Sequence, residues 1–148
     1  MSLDEAQAAG AGPPPPHPAK YLERAMHPAA REYYRRLAAG RPATTRCPAC
    51  ERTAFPPRVR CERCGGATEW VELPPTGTLE AFTTQETALR VAAPAVLALA
   101  RLGEVVVPGI ADGGYDELRI GQAVEVETFL EPALELTLLR FRTSSGEA

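Results

Sequence analysis

From residue 78 onward, apolar and polar positions alternate with the two-residue period of a β-strand. Over 78–84, Leu79, Ala81 and Thr83 oppose Glu80, Phe82 and Thr84. Over 95–102, Val96, Ala98 and Ala100 oppose Leu97, Leu99 and Arg101. A third run, 105–111, contains Pro108-Gly109, which removes a ladder donor and predicts an edge position or a bulge. Over 121–129, Val124, Val126 and Thr128 share one face and Glu125 and Glu127 the other. A fifth run, 134–142, sets Leu134, Leu136, Leu138 and Arg140 on one face. Five short strands separated by Gly and Pro signals predict a small closed barrel, with the five-stranded OB architecture as the natural candidate. Spacing alone leaves an SH3-like barrel or a meander open.

Upstream, the period changes. Pro28 suits the first position of a helix and Gly40 the residue just past its end. Between them, Ala29 to Ala39 are good helix formers with Tyr33, Tyr34 and Leu37 at one-face spacing. A preceding turn through Tyr21, Leu22 and Met26 fits, stopping before Pro28. Residues 1–18, with Pro13 to Pro16 and His17, resist helix and sheet and are expected to form a disordered tail. His17 and His27 have no evident fixed partner. The apolar helix face can dock on the chain's own downstream module or on another protein. The small size of that module favours a partner surface.

The downstream module carries all four cysteines, Cys47, Cys50, Cys61 and Cys64, as two C-x-x-C knuckles ten residues apart. Two facing knuckles supply the four soft ligands of a closed tetrahedral site, which suits structural Zn²⁺; iron fits the same ligand set. Disulfides need an oxidising compartment, yet residues 1–5 show neither a basic nor an apolar leader region. A thioredoxin-like pair needs a βαβ pattern, which is absent. Ala43 to Arg46 reads as a strand leading in, Phe55-Pro56-Pro57 stiffens the crossing, and Gly65-Gly66 lets the chain leave the second knuckle. With so little apolar content, metal binding is the expected main source of the module's folding energy.

Charge is unevenly spread. The chain of 148 residues carries net −3, but 31–63 is +6 and 67–148 is −8. Lys20 is the sole lysine beside fifteen arginines. Arg46, Arg52, Arg60 and Arg63 either offset the −2 of a metal–thiolate centre or form a face for phosphate and carboxylate groups. No apolar run reaches 18 residues, so no spanning segment is expected, and a soluble cytoplasmic protein follows.

These features occur in a fixed order: Tyr33-Tyr34 to Arg41, Cys47 to Cys50, Phe55-Pro56-Pro57-Arg58, Cys61 to Gly65, Gly77-Thr78, and Leu118 to Glu125. In that order the chain resembles the family with a rubredoxin-like zinc ribbon joined to an OB-fold, known as domain of unknown function thirty-five. The resemblance covers about residues 30 to 143. It implies a mainly β protein: tail 1–18, N-terminal helical segment 19–40, zinc ribbon 41–68 and OB-fold domain 69–148. It also implies an accessory subunit of a thiolase-like acyl-CoA enzyme, in a hetero-oligomer with acyl-CoA at or near the interface. Tyr33, Tyr34, Arg36, Leu37 and Arg58 are then the candidate contacts to the partner or to CoA. Glu51 departs from the pattern, since the family commonly has Gly after the first knuckle.

The residues point to no catalysis by this chain alone. Thiolase chemistry needs a reactive cysteine with an activating base, and all four cysteines are committed to metal. No Gly-x-Ser-x-Gly elbow, P-loop or dinucleotide fingerprint is present. Two other classes stay open: a single-strand nucleic-acid binder, against which the −8 barrel counts, and a stand-alone CoA-ester binder. Trp70 is expected to wedge ribbon against barrel, and Gly113-Gly114 to form a loop and no phosphate cradle.

Overall fold

The computed structural model describes residues 26–86, 95–132 and 135–143. The expected tail and the turn through Tyr21 and Leu22 lie outside the described residues. Helix α1 spans Pro28–Ala38. Its first turn is capped by His27, whose Nδ1 accepts from the Ala29 N–H at 3.2 Å, so this histidine does have a fixed partner. At the other end, the Gly40 N–H donates to the Leu37 carbonyl and the Arg41 N–H to the Arg36 carbonyl, both at 2.9 Å. With Gly40 at φ +74°, that pair is a Schellman stop, which is why the helix ends where the glycine stands.

Strands β1 (Ala43–Arg46), β2 (Thr53–Ala54) and β3 (Glu69–Glu72) form an antiparallel sheet in the order β2-β1-β3. Thr45 stands opposite both Ala54 and Trp70. Residues 69–72 therefore pair with the cysteine module, past the expected boundary at 68/69, and the connection to the barrel is 73–75.

Strands β4 (Thr76–Gln85), β5 (Ala95–Leu102), β6 (Val105–Asp112), β7 (Ala123–Glu131) and β8 (Leu136–Thr143) close into a barrel in the order β4-β5-β6-β8-β7. The β6–β8 pair is parallel, which makes this an OB-type Greek-key closure and not a meander. Leu79, Ala100, Leu102, Val107, Val124, Leu139 and Phe141 fill its interior.

One strand departs from the alternation, and in two others the structure decides what the alternation leaves open. In β4 the register shifts between Leu79 and Ala81, so after buried Leu79 it is Phe82 that packs toward the core while Ala81 and Thr83 are exposed. In β8 the interior face is Leu139 and Phe141; Leu136 and Leu138 are half-buried on the outer face, toward α1. In β6, Pro108 precedes the residues that pair with β8, which begin at Ile110 opposite Arg140. The missing N–H thus falls where β6 has β5 alone for a neighbour. Gly109 gives way to the Phe141 ring, whose Cε2 would lie 2.7 Å from a Cβ at that position.

Helix α1 lies against this barrel. Tyr33 and Leu37 are 6% and 1% exposed and join the same buried cluster as Leu79 and Phe141. The expectation that they face another protein is corrected: the outer face of β8 and the Phe55 ring provide the area that the cysteine module alone lacks. Trp70 is half-buried against that cluster, with the Arg36 guanidinium 4.8 Å above its ring. Gly113 and Gly114 form a loop into a short 3₁₀ turn, Tyr115–Glu117.

Candidate functional site

The two knuckles repeat one local structure. In the first, the Glu51 N–H donates to the Cys47 carbonyl at 2.7 Å and the Cys47 N–H to the Arg52 carbonyl at 2.9 Å. In the second, Gly65 donates to Cys61 and Cys61 to Gly66, both at 2.9 Å. Each turn needs a left-handed residue after its second cysteine, supplied by Glu51 at φ +58° and Gly65 at φ +73°. Sequence reasoning noted the missing glycine at 51 without seeing that the position demands positive φ.

The four sulfurs lie within 4.8 Å of one another, and Cys47 Sγ is 3.6 Å from Cys64 Sγ. Four thiolates about 2.3 Å from one tetrahedral ion stand about 3.8 Å apart, so the set fits such an ion. Backbone N–H groups point at the sulfurs: Cys50 at Cys47, Arg63 at Cys61 and Gly66 at Cys64, each at 3.4 Å. Donors of this kind stabilise the thiolate form. A Cβ on Gly66 would stand 3.2 Å from Cys64 Sγ, which explains the small residue there.

The thiols compete for charge. The backbone N–H groups of Cys64 and Arg63 bring Cys61 down to about 7. Hydrogen bonding to Cys64 foremost, then burial and the other sulfurs, pushes Cys50 up to about 12. Four such groups this close become thiolates together when a cation shares them. Burial grades across the site from Cys47, fully inside, to Cys64, exposed.

The arginines brace the backbone and the neighbouring acids. Arg46 reaches Glu51 and Glu69 at 3.8 Å, Arg60 Nη1 donates to the Gly65 carbonyl at 3.2 Å, and Arg58 pairs with Glu62 at 3.3 Å. The Arg58 N–H also donates to Thr45 Oγ1 at 2.8 Å, tying the crossing to β1. Of the five candidate contacts, Tyr33 and Leu37 are buried, Tyr34 is half-buried, and Arg36 is held by Glu32 and Trp70. Arg58 is half exposed, on a different element from the other four. No helix among the described residues is long and apolar enough to cross a membrane.

Comparison with known proteins bears on both halves. The family described as the ChsH2 C-terminal OB-fold domain matches residues 70–129. A chain of the structure described as "Ltp2-ChsH2(DUF35) aldolase" superposes with a TM-score of 0.71 at 25% identity, over 81% of this chain and 98% of that one. A DUF35-family protein of unknown function from Sulfolobus solfataricus superposes with a TM-score of 0.56 at 20% identity, over 97% of this chain and 100% of that one. The second likeness concerns the fold alone. No curated protein matches the sequence. The barrel half of the chain thus resembles the ChsH2 C-terminal OB-fold domain, and the chain as a whole is similar in fold to structures described as DUF35 proteins.

Proposed function

We propose that this chain is a non-catalytic accessory subunit of a thiolase-like acyl-CoA enzyme, supporting assembly and helping to accommodate the CoA substrate. The observation that carries the reading is the likeness, at 25% identity and across 98% of its length, to a chain of a structure described as an Ltp2-ChsH2 aldolase. That protein stands in an enzyme with a second component, and this chain repeats its architecture. The cysteine geometry supports the non-catalytic part, because sulfurs converging within 4.8 Å serve one ion and leave no separate nucleophile.

Zn²⁺ is the ion we propose, held by Cys47, Cys50, Cys61 and Cys64, with iron as the alternative. When bound it cross-links the two knuckles, and with four protein ligands it has no open position for substrate. The acyl-CoA would lie at or near the subunit interface, in a hetero-oligomer.

Co-expression with a thiolase-like protein from the same genome tests the reading. A complex that co-elutes on size exclusion at micromolar concentration, with one zinc per accessory chain, is the expected result. Separate elution of the two proteins would sink it.

A further inference from the structure

A groove of about 370 Å³ runs along the outer wall of the barrel. Its floor is Leu97, Pro108, Ile110 and Leu138, and its banks are Tyr34 of α1 and the Pro56-Pro57 crossing. The floor is outward-facing by register. Leu97 pairs with Ile110, one residue from the Ala98–Gly109 pair whose Ala98 is buried. Among the described residues, no charged side chain lines this groove. Three strands therefore present an apolar outer surface that α1 covers only along one side.

The groove has a cationic end. Across the shared Pro56 and Pro57 it continues onto a shelf formed by His27, Arg58, Val59 and Arg60, with no acidic residue in the lining among the described residues. Val59 is 55% exposed there. Arg58 has Glu62 and Arg60 has the Gly65 carbonyl as a partner, each using part of a five-donor guanidinium. The charge that complements this surface is apolar along the barrel and negative at the crossing.

Resting on the accessory-subunit reading, we propose that this groove docks an extended segment of the partner protein. That segment is apolar where it lies over Leu97, Ile110 and Leu138, and carries carboxylates where it reaches Arg58 and Arg60. The groove is open along its length and not enclosed, which suits a chain segment better than a sequestered small ligand.

The test measures the affinity of the metal-loaded chain for its co-expressed thiolase-like partner at low and high salt. Leu97→Asp should raise Kd at least about 10-fold, because it places a charge in the apolar floor. The double variant Arg58→Glu/Arg60→Glu should raise Kd about 10-fold at low salt and flatten the salt dependence. Ile120→Asp, at a 72% exposed position outside the groove, should stay within about 2-fold. Thermal melts and metal content confirm folding; should Leu97→Asp fail to fold, exposed Pro108→Asp replaces it.

Unchanged affinity in both groove variants, with the wild type binding, overturns the docking site and leaves the accessory role standing. Failure of the wild type to bind removes both. Self-association of the isolated chain that Leu97→Asp abolishes would assign the groove to a second copy and overturn the proposal. Binding of a CoA ester to the isolated chain that the same variant abolishes would assign it to a small amphiphile, with the same consequence.

Discussion

Tyr33 meets Phe55 edge to face, with ring centroids 5.4 Å apart and planes at 70°. One ring belongs to the helix and the other to the crossing between the two cysteine knuckles. The contact joins three elements that share little sequence proximity, because Tyr33 also packs into the buried cluster of the barrel. Order in the ribbon and seating of the helix are therefore coupled.

Phe55→Ala should destabilise the metal-loaded protein by about 2–3 kcal/mol, toward the lower end of aromatic-to-alanine changes because Phe55 is only half-buried. Guanidinium unfolding followed by far-UV circular dichroism measures it. A change below about 0.5 kcal/mol, the range of an ordinary surface substitution, would show that the edge contact does not hold the helix.

Alkaline pH should loosen the same region. Burial, and then the neighbouring Tyr34 phenol, hold the Tyr33 phenol well above its ordinary 10.0; burial raises Tyr34 as well. Below pH 10 both folded and unfolded chains keep these phenols protonated, and stability is unaffected by them. Above it the unfolded chain loses protons that the folded chain retains, so stability falls as pH rises. The melting temperature should drop from about pH 10 upward, and Tyr33→Phe should show a shallower drop. An identical slope in the variant would exclude Tyr33 as the source.

Glu51 holds a left-handed backbone at φ +58°, at the position where the second knuckle uses Gly65. Glu51→Gly should stabilise the protein by about 0.5–1 kcal/mol. The ion pair it removes, to Arg46 at 3.8 Å, involves a side chain 79% exposed and contributes little. Gly65→Ala should act in the opposite direction by a similar amount, since no atom lies within 4 Å of the added Cβ and only conformation is at stake. Melting temperatures of the two variants check the pair; matching signs would refute the account.

Metal removal should act locally first. Chelation should release amide protection at 43–54 and in α1, while the β4–β8 ladder keeps slow exchange, because the barrel has its own core. Hydrogen exchange with and without chelator reads this directly. Simultaneous loss of barrel protection would mean that ribbon and barrel unfold as one unit. Cys64→Ser should weaken binding of the proposed zinc ion by at least about 100-fold with little packing loss, as Cys64 is the exposed cysteine of the cluster.

Much of the architecture is legible in the residues. Pro28 and Gly40 bracket the helix to within a residue, since one lacks the donor a first turn leaves free and the other tolerates positive φ. The C-x-x-C pairs specify a converging sulfur cluster through local turns alone. Alternation marks all five barrel strands, but it does not say which face is inside wherever a strand is apolar on both. Leu136 and Leu138 are as apolar as Leu139, and only the presence of α1 outside the barrel separates their roles.

The sequence by itself determined the local chemistry: the caps, the knuckles, the strand count and the separation of basic ribbon from acidic barrel. Each follows from residues within a few positions of one another. Only the tertiary structure decided where the helix face goes, how the β4 register shift turns Phe82 inward, and that Pro56 and Pro57 border an apolar groove on the barrel wall. Those outcomes depend on surfaces distant in sequence meeting in space, and an apolar face carries no address for the surface that will cover it.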